Sequence, residues 1–175
     1  VSALLEAYGI AAAPALLATD EEAAVALAMP LLANNRAVVA KILSPDIVHK
    51  SDIGGVRLNL TNPDAVREAV RDILGRARNA RPDARIEGVT IHPMIVRPKA
   101  RELIAGVATD PNFGPVIVFG RGGTAVEVIN DKALALPPLD LRLAQDLIGR
   151  TRVSRILKAY RDMPAGDEKA IALTL

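Results

Sequence analysis

Cysteine is absent from the 175 residues, which excludes disulfides and thiolate metal sites. Tryptophan is absent too, and the aromatics are two phenylalanines and two tyrosines, so a core must be built from Ala, Val, Leu and Ile. Neither sign of charge dominates: 22 Lys and Arg stand against 20 Asp and Glu, interleaved along the chain. Neutralising a nucleic-acid backbone needs a clustered basic face, and single strands usually need stacking aromatics, so nucleic acid is excluded as a main partner. No apolar run approaches the ~20 residues that span a bilayer. The first residues, Val1 to Glu6, lack the basic start and apolar run of a signal peptide. A cytoplasmic protein without a membrane partner is the expectation. A Walker-type GxxxxGK[ST] loop is missing as well, so a phosphate site, if there is one, is built otherwise. The two histidines, His49 and His92, are too far apart for a recognisable zinc motif.

What remains is a globular composition, 50% hydrophobic and 24% charged. Thr19 and Glu22 have the spacing of a capping box opening an Ala-rich helix that is expected to end before Pro30. Residues 38–43, VVAKIL, read as a buried strand. A polar stretch leads to Gly54-Gly55, and residues 56–60 alternate like a second strand, so the two predict a hairpin with a long loop. Asn62-Pro63 opens the longest helix, with Val66, Val70, Ile73, Leu74 and Ala77 on one face. Strands are expected at 86–95, 102–109, 115–119 and 125–129, separated by turn signals. Asp140 caps a helix with Leu141, Ala144, Leu147 and Ile148 inward, and a further helical segment spans about 153–160. Asp167 starts a last helix that runs out after about two turns with no closing residue, which predicts a C-terminally truncated fragment of a longer domain.

Several residues stand where chemistry is plausible. Lys41 interrupts an apolar strand face, and a buried ammonium is costly unless paired; a nucleotide phosphate is one partner, and solvent at an edge strand is the other. Gly54-Gly55 allows either a nest of backbone N–H groups around an anion, with charge from Lys50, or an ordinary glycine turn. His49, in the same polar loop, is either a phosphoryl-accepting nucleophile or a plain loop residue. Gly120 to Thr124 precedes Glu127 and Asp131, carboxylates that suit Mg²⁺ beside a phosphate site or else simply face solvent.

In this order the segments VVAKILSPDIVHKSDIGGVRLNL, IEGVTIHPMIV and RELIAGVATDPNFGPVIVFGRGGTAVEVINDKALALPPLD closely resemble the ATP-grasp domain of NDP-forming acyl-CoA synthetases, over nearly the whole chain. The resemblance implies an α+β fold of two subdomains holding ATP or ADP between them, here assigned to residues 1–90 and 91–175. It implies that Lys41 meets the nucleotide phosphates, that Gly54, Gly55 and Val56 form the loop over them, and that Ile91, His92 and Met94 lie in the hinge whose backbone reads adenine. Glu102 matches an acidic position of the nucleotide pocket, and His49 the histidine of a phosphoryl relay. Mg²⁺ is the implied metal, with Glu127 and Asp131 as subsidiary ligands and the main ones past Leu175. The implied partners are CoA-binding and CoA-ligase domains on the same or another chain, which bring CoA and a small carboxylic acid. The reaction joins acid, CoA and ATP to give acyl-CoA, ADP and phosphate, and the isolated chain is expected to be inactive. His92 departs from the Gln of many relatives. The tail from Arg150 also resembles members fused to a GNAT acetyltransferase, which implies the alternative of a regulatory module without catalysis.

Overall fold

The structure, a computed structural model, describes residues 2–34, 36–123 and 126–175, with side chains other than those of Ser2 and Glu127. The chain divides into two compact units, Val1–Val96 and Arg97–Leu175. The division expected after residue 90 falls inside a strand, because His92 and Pro93 continue the ladder that starts at Gly88.

In chain order the first unit contains α1 (Ser2–Ala7), β1 (Leu16–Ala18), α2 (Glu21–Leu32), β2 (Val38–Leu43), β3 (Val56–Leu60), α3 (Pro63–Ala80) and β4 (Gly88–Pro93). Its strands form one antiparallel sheet in the order β1-β4-β2-β3. The expected β2–β3 hairpin is present. α2 and α3 bury one face of the sheet: Val38, Ala40 and Ile42 of β2 and Val89 and Ile91 of β4 join Val66, Val70, Ile73 and Ala77 of α3 in the core. Ala24 and Ala28 are fully buried on α2, and their small side chains let the helix lie close, which is how a core with so few aromatics fills its space.

The caps follow sequence chemistry with one change. Asn62 accepts a bond from the Ala65 amide at 2.8 Å, with Pro63 at the start of α3. At α2 the cap is Asp20, which accepts from the Ala23 amide at 2.8 Å, while the Thr19 hydroxyl donates to Asp20. Asp20 stands in the extended conformation directly before the first helical residue, so its carboxylate, not the Thr19 hydroxyl, reaches the free amide. Pro30 lies inside α2 rather than beyond it. In the last turn its missing N–H costs a single bond, to Ala26, and the helix continues to Leu32.

The second unit contains β5 (Leu103–Asp110), β6 (Gly114–Arg121), α4 (Val126–Ile129), β7 (Lys132–Ala135), α5 (Leu141–Gly149), α6 (Val153–Leu157) and α7 (Glu168–Thr174). The sheet order is β5-β6-β7, all antiparallel. Phe119, Ala133, Ala144, Leu147, Ile148, Val153, Leu157 and Ala172 form its core. Asp140 and Asp167 cap α5 and α7 as expected, accepting from Leu143 and Ala170. Leu141 is half exposed instead of inward, since the buried stripe of α5 starts at Ala144. The strand expected at 125–129 is instead the short helix α4, closed by a 2.9 Å bond from the Asn130 amide to the Val126 carbonyl; Thr124 and Ala125 lie outside the described residues. β7 went unanticipated, although its small and large apolar residues alternate with period two before Pro137.

Candidate functional site

Lys41 sits on β2, an interior strand between β4 and β3, which removes the edge-strand alternative. Alternation sends Val38, Ala40 and Ile42 into the helical core and turns Lys41 to the opposite face, where it is half-buried. Its register partners are Thr90 on β4 and Val56 on β3, and Val39 stands opposite His92. Period two therefore places Lys41, Val56, Thr90 and His92 on one face, away from the helices. Among the described residues Lys41 and Lys50 make no ion pair.

Thr90 was not among the residues singled out from sequence, although the spacing Thr90-x-His92 in a strand was the signal for it. Its hydroxyl lies 2.9 Å from His92 Nε2 and 3.4 Å from the Lys41 carbonyl oxygen. Burial, then the charge of Lys41 and more weakly that of Lys50, push the imidazole below its usual value, against an opposing pull from the Pro14 backbone. Among the described residues the face is thus positive, with no carboxylate paired to either lysine.

The loop between β2 and β3 hangs from Ser44 and Ile47, both buried, and exposes His49 with Lys50 half-buried beside it. Gly54 and Gly55 do not form an anion nest. The Gly54 amide donates to the Ser51 carbonyl at 3.0 Å and the Gly55 amide to the Lys50 carbonyl at 2.7 Å. Glycine is required here for shape: Gly54 has φ +67, and a Cβ on Gly55 would lie 2.6 Å from Ile42 Cγ2 and 2.8 Å from the Lys50 oxygen. The pair folds the loop tightly and so fixes where Lys50 and His49 stand.

The expected hinge is likewise partly occupied by the fold. Ile91 points into the core, Pro93 has no amide hydrogen, and the Met94 amide donates to the Ala37 carbonyl at 2.7 Å. Met94 N–H is therefore not the group that reads a base in this conformation.

In the second unit Glu102 is exposed just before β5, next to the Gly122-Gly123 turn, where the Gly122 amide donates to the Glu102 carbonyl at 2.8 Å. A cavity of about 510 Å³ opens there, lined by Arg101, Glu102, Arg121 and both glycines. Asp131 does not stand free for a metal. It is 9% exposed, and its carboxylate accepts from the Arg152 amide at 2.7 Å and the Val153 amide at 2.6 Å, clamping α6 to the start of β7. The side chain of Glu127 lies outside the described residues. Among the described residues no group of three His, Cys, Asp or Glu side chains is arranged to hold a metal ion. Among them, too, no helix is long and apolar enough to cross a membrane.

A family model described as an ATP-grasp domain matches residues 1–175. Acetate–CoA ligase [ADP-forming] I of Archaeoglobus fulgidus is 40% identical over 169 residues, 97% of this chain and 24% of that protein. Acetate–CoA ligase [ADP-forming] I subunit beta of Pyrococcus furiosus is 38% identical over 97% of this chain and 71% of the subunit. Among solved structures, Ca. Korarchaeum cryptofilum dinucleotide forming acetyl-coenzyme A synthetase 1, in complex with coenzyme A, Ca-AMPCP and HgCl+, superposes with a TM-score of 0.86 at 36% identity, covering 99% of this chain and 73% of that one. The same synthetase has been solved with coenzyme A and Mg-AMPPCP, its phosphohistidine segment pointing towards the nucleotide binding site, and matches with a TM-score of 0.74 at 32% identity. The chain thus spans about a quarter of the fused relative and about 70% of the separate subunit. These relatives are ligases and synthetases, and they give the regulatory acetyltransferase module no support. On the match of the whole chain to the family model and on the identity to the beta subunit, the chain belongs to the ATP-grasp family and is homologous to the NDP-forming acyl-CoA synthetases.

Proposed function

We propose that this chain binds ATP or ADP on the open face of its first sheet, as the nucleotide-binding part of an ADP-forming acyl-CoA ligase. The observation that carries the reading is Lys41: half-buried on an interior strand, with no carboxylate partner among the described residues, and on the same sheet face as His92, whose ring feels the charge of Lys41 and Lys50. A polyphosphate supplies the missing negative charge, and both ammonium groups become charge-assisted donors to it.

The chemistry asked of the protein is mostly placement and charge neutralisation, since phosphoryl transfer passes through a loose transition state with charge spread over the oxygens. Lys41 holds the phosphates from the rigid sheet. The loop from Ser44 to Gly55 presents His49 to solvent, where its neutral ring nitrogen can attack the terminal phosphorus of ATP in line, ADP leaving, and then give the phosphoryl group to the carboxylate of the acid, with Lys50 offsetting the charge. In the second unit, Glu102 beside the Gly122-Gly123 turn is a further carboxylate proposed as a nucleotide contact. The described residues do not form a cage for Mg²⁺, so no step is assigned to it; the metal enters as the companion of the phosphates. In the complete protein, CoA-binding and CoA-ligase domains on the same or another chain supply CoA and a carboxylic acid, and the overall reaction gives acyl-CoA, ADP and phosphate.

Calorimetric titration with ADP and ATP in the presence of Mg²⁺ tests this. Removing a partner from a desolvated charge pair costs several kcal/mol, so Lys41→Ala is expected to weaken binding about a hundredfold, ~2.7 kcal/mol. Its unfolding free energy should stay level or rise slightly, because an unpaired half-buried cation is removed. Equal affinity in both proteins would rule out the phosphate role of Lys41.

A further inference from the structure

His92 occupies the polar face without being needed to hold the sheet together, and its surroundings are unusual in one respect. One ring nitrogen has a placed partner: Nε2 faces the Thr90 hydroxyl at 2.9 Å. A hydroxyl oxygen accepts as well as donates, so that contact suits a protonated ring as well as a neutral one. The Thr90 hydrogen would remain available to the Lys41 carbonyl, 3.4 Å away. Burial, then the charge of Lys41, act against the protonated form.

The charges that act on it can be named element by element. On β2, Lys41 lies diagonally across from His92, one pair along from Val39, and such diagonal neighbours stand roughly 7–8 Å apart, within reach of a long side chain. In the β2–β3 loop the contributor is Lys50. The segment from Ile10 to Ala15 and strand β1 carry no ionisable side chain, and β4 has no other one. Arg57 of β3 is turned to the helical side and paired with Asp72. No carboxylate is among the groups acting on the ring.

We infer that His92 couples nucleotide binding to proton uptake: the ring shares the sheet face of Lys41, so phosphates that pair with Lys41 bring negative charge beside it, and the ring takes a proton. The inference rests on the nucleotide reading above and adds to it a regulation by pH. The sign follows from linkage. The free protein has the lower pKa and the complex the higher one, so binding takes up protons between the two values. Affinity then rises as pH falls through that window. With nucleotide bound, His92 becomes a further cation on the face of Lys41 and holds Thr90 more firmly through a charge-assisted bond.

Because the chain has two histidines, the test can be read directly by NMR. The ring C–H signals of the full-length protein are titrated with acid, alone and with saturating ADP, and the signal missing in His92→Gln identifies His92. If that variant does not fold, His49→Gln assigns by difference. The expected result is a His92 pKa that rises by about one unit or more with ADP, as opposite charges within reach commonly produce. Calorimetry in two buffers of different ionisation heat should show uptake of order half a proton per nucleotide at intermediate pH, beyond that due to the terminal phosphate of ADP in His92→Gln. ADP that binds while the His92 pKa stays unchanged overturns this inference alone. ADP that gives no binding heat overturns the nucleotide reading and the coupling together.

Discussion

In the first unit the ionisable residues on the open sheet face, Lys41 and His92, share the neighbourhood of Lys50 with no carboxylate among them. In the second, one of the ionisable residues that sequence marked for chemistry, Asp131, is buried and accepts from two backbone amides. The first arrangement leaves electrostatic work for a ligand to complete; the second is already complete and holds the fold. Burial alone does not distinguish a functional charge from a structural one. What distinguishes them is whether the partners are already present.

Asp131→Ala should give the largest effect on stability. It leaves two buried amides without an acceptor, and bonds to a charged group contribute about 1.5–3 kcal/mol each, so a loss of about 3 kcal/mol is expected, read from the urea midpoint and from faster amide exchange in β6 and β7. Asp131→Asn keeps one acceptor and should lose less. If the alanine variant is as stable as the parent, the clamp is not structural and the contrast with Lys41 fails. Gly55→Ala comes next. The added methyl meets Ile42 and the Lys50 carbonyl at distances no real Cβ shows, and overpacking of this kind costs about 1–3 kcal/mol. It should also displace Lys50, so nucleotide affinity drops along with stability, unlike in Lys41→Ala, where affinity drops alone. The smallest effect concerns exposed pairs. Bonding to Arg67, then its charge, holds Glu22 below its usual 4.5, and the same two causes from Arg76, with Arg57, hold Asp72 below 3.8. A lowered carboxylate pKa stabilises the fold above the unfolded value and loses that contribution as pH falls through the folded one. Acid titration below about pH 4.5 should therefore weaken the α2–α3 contact slightly, and 1 M salt should remove most of the effect, since these charges are exposed. A salt-independent acid loss would point to buried carboxylates instead.

Legibility differed between the units in the same way. Within the first, strand period and helix caps depend on neighbours two to four residues away, so β2, β3 and α3 could be read from the residues. The edge or interior position of β2 could not, because it depends on β4, about fifty residues later. Glycine-rich spacing suggested a nest at Gly54-Gly55, but the spacing does not say where the amides point, and the loop turned them inward. In the second unit the four residues Val126 to Ile129 were too few for either period to assert itself, and a single closing bond at Asn130 decided for helix. Thr90 went unnoticed because its one signal, the Thr90-x-His92 spacing, gains meaning when its cross-strand neighbour Lys41 is known.

By itself the sequence determined the class of the protein. Its lysine-bearing strand, glycine loop and turn motifs, in that order along the chain, placed it among ATP-grasp domains because order and spacing are properties of the chain alone. The tertiary structure alone decided which of its charges are unbalanced. Pairing depends on residues distant in sequence and close in space, and that left Lys41 open to a phosphate while it closed Asp131 onto Arg152 and Val153.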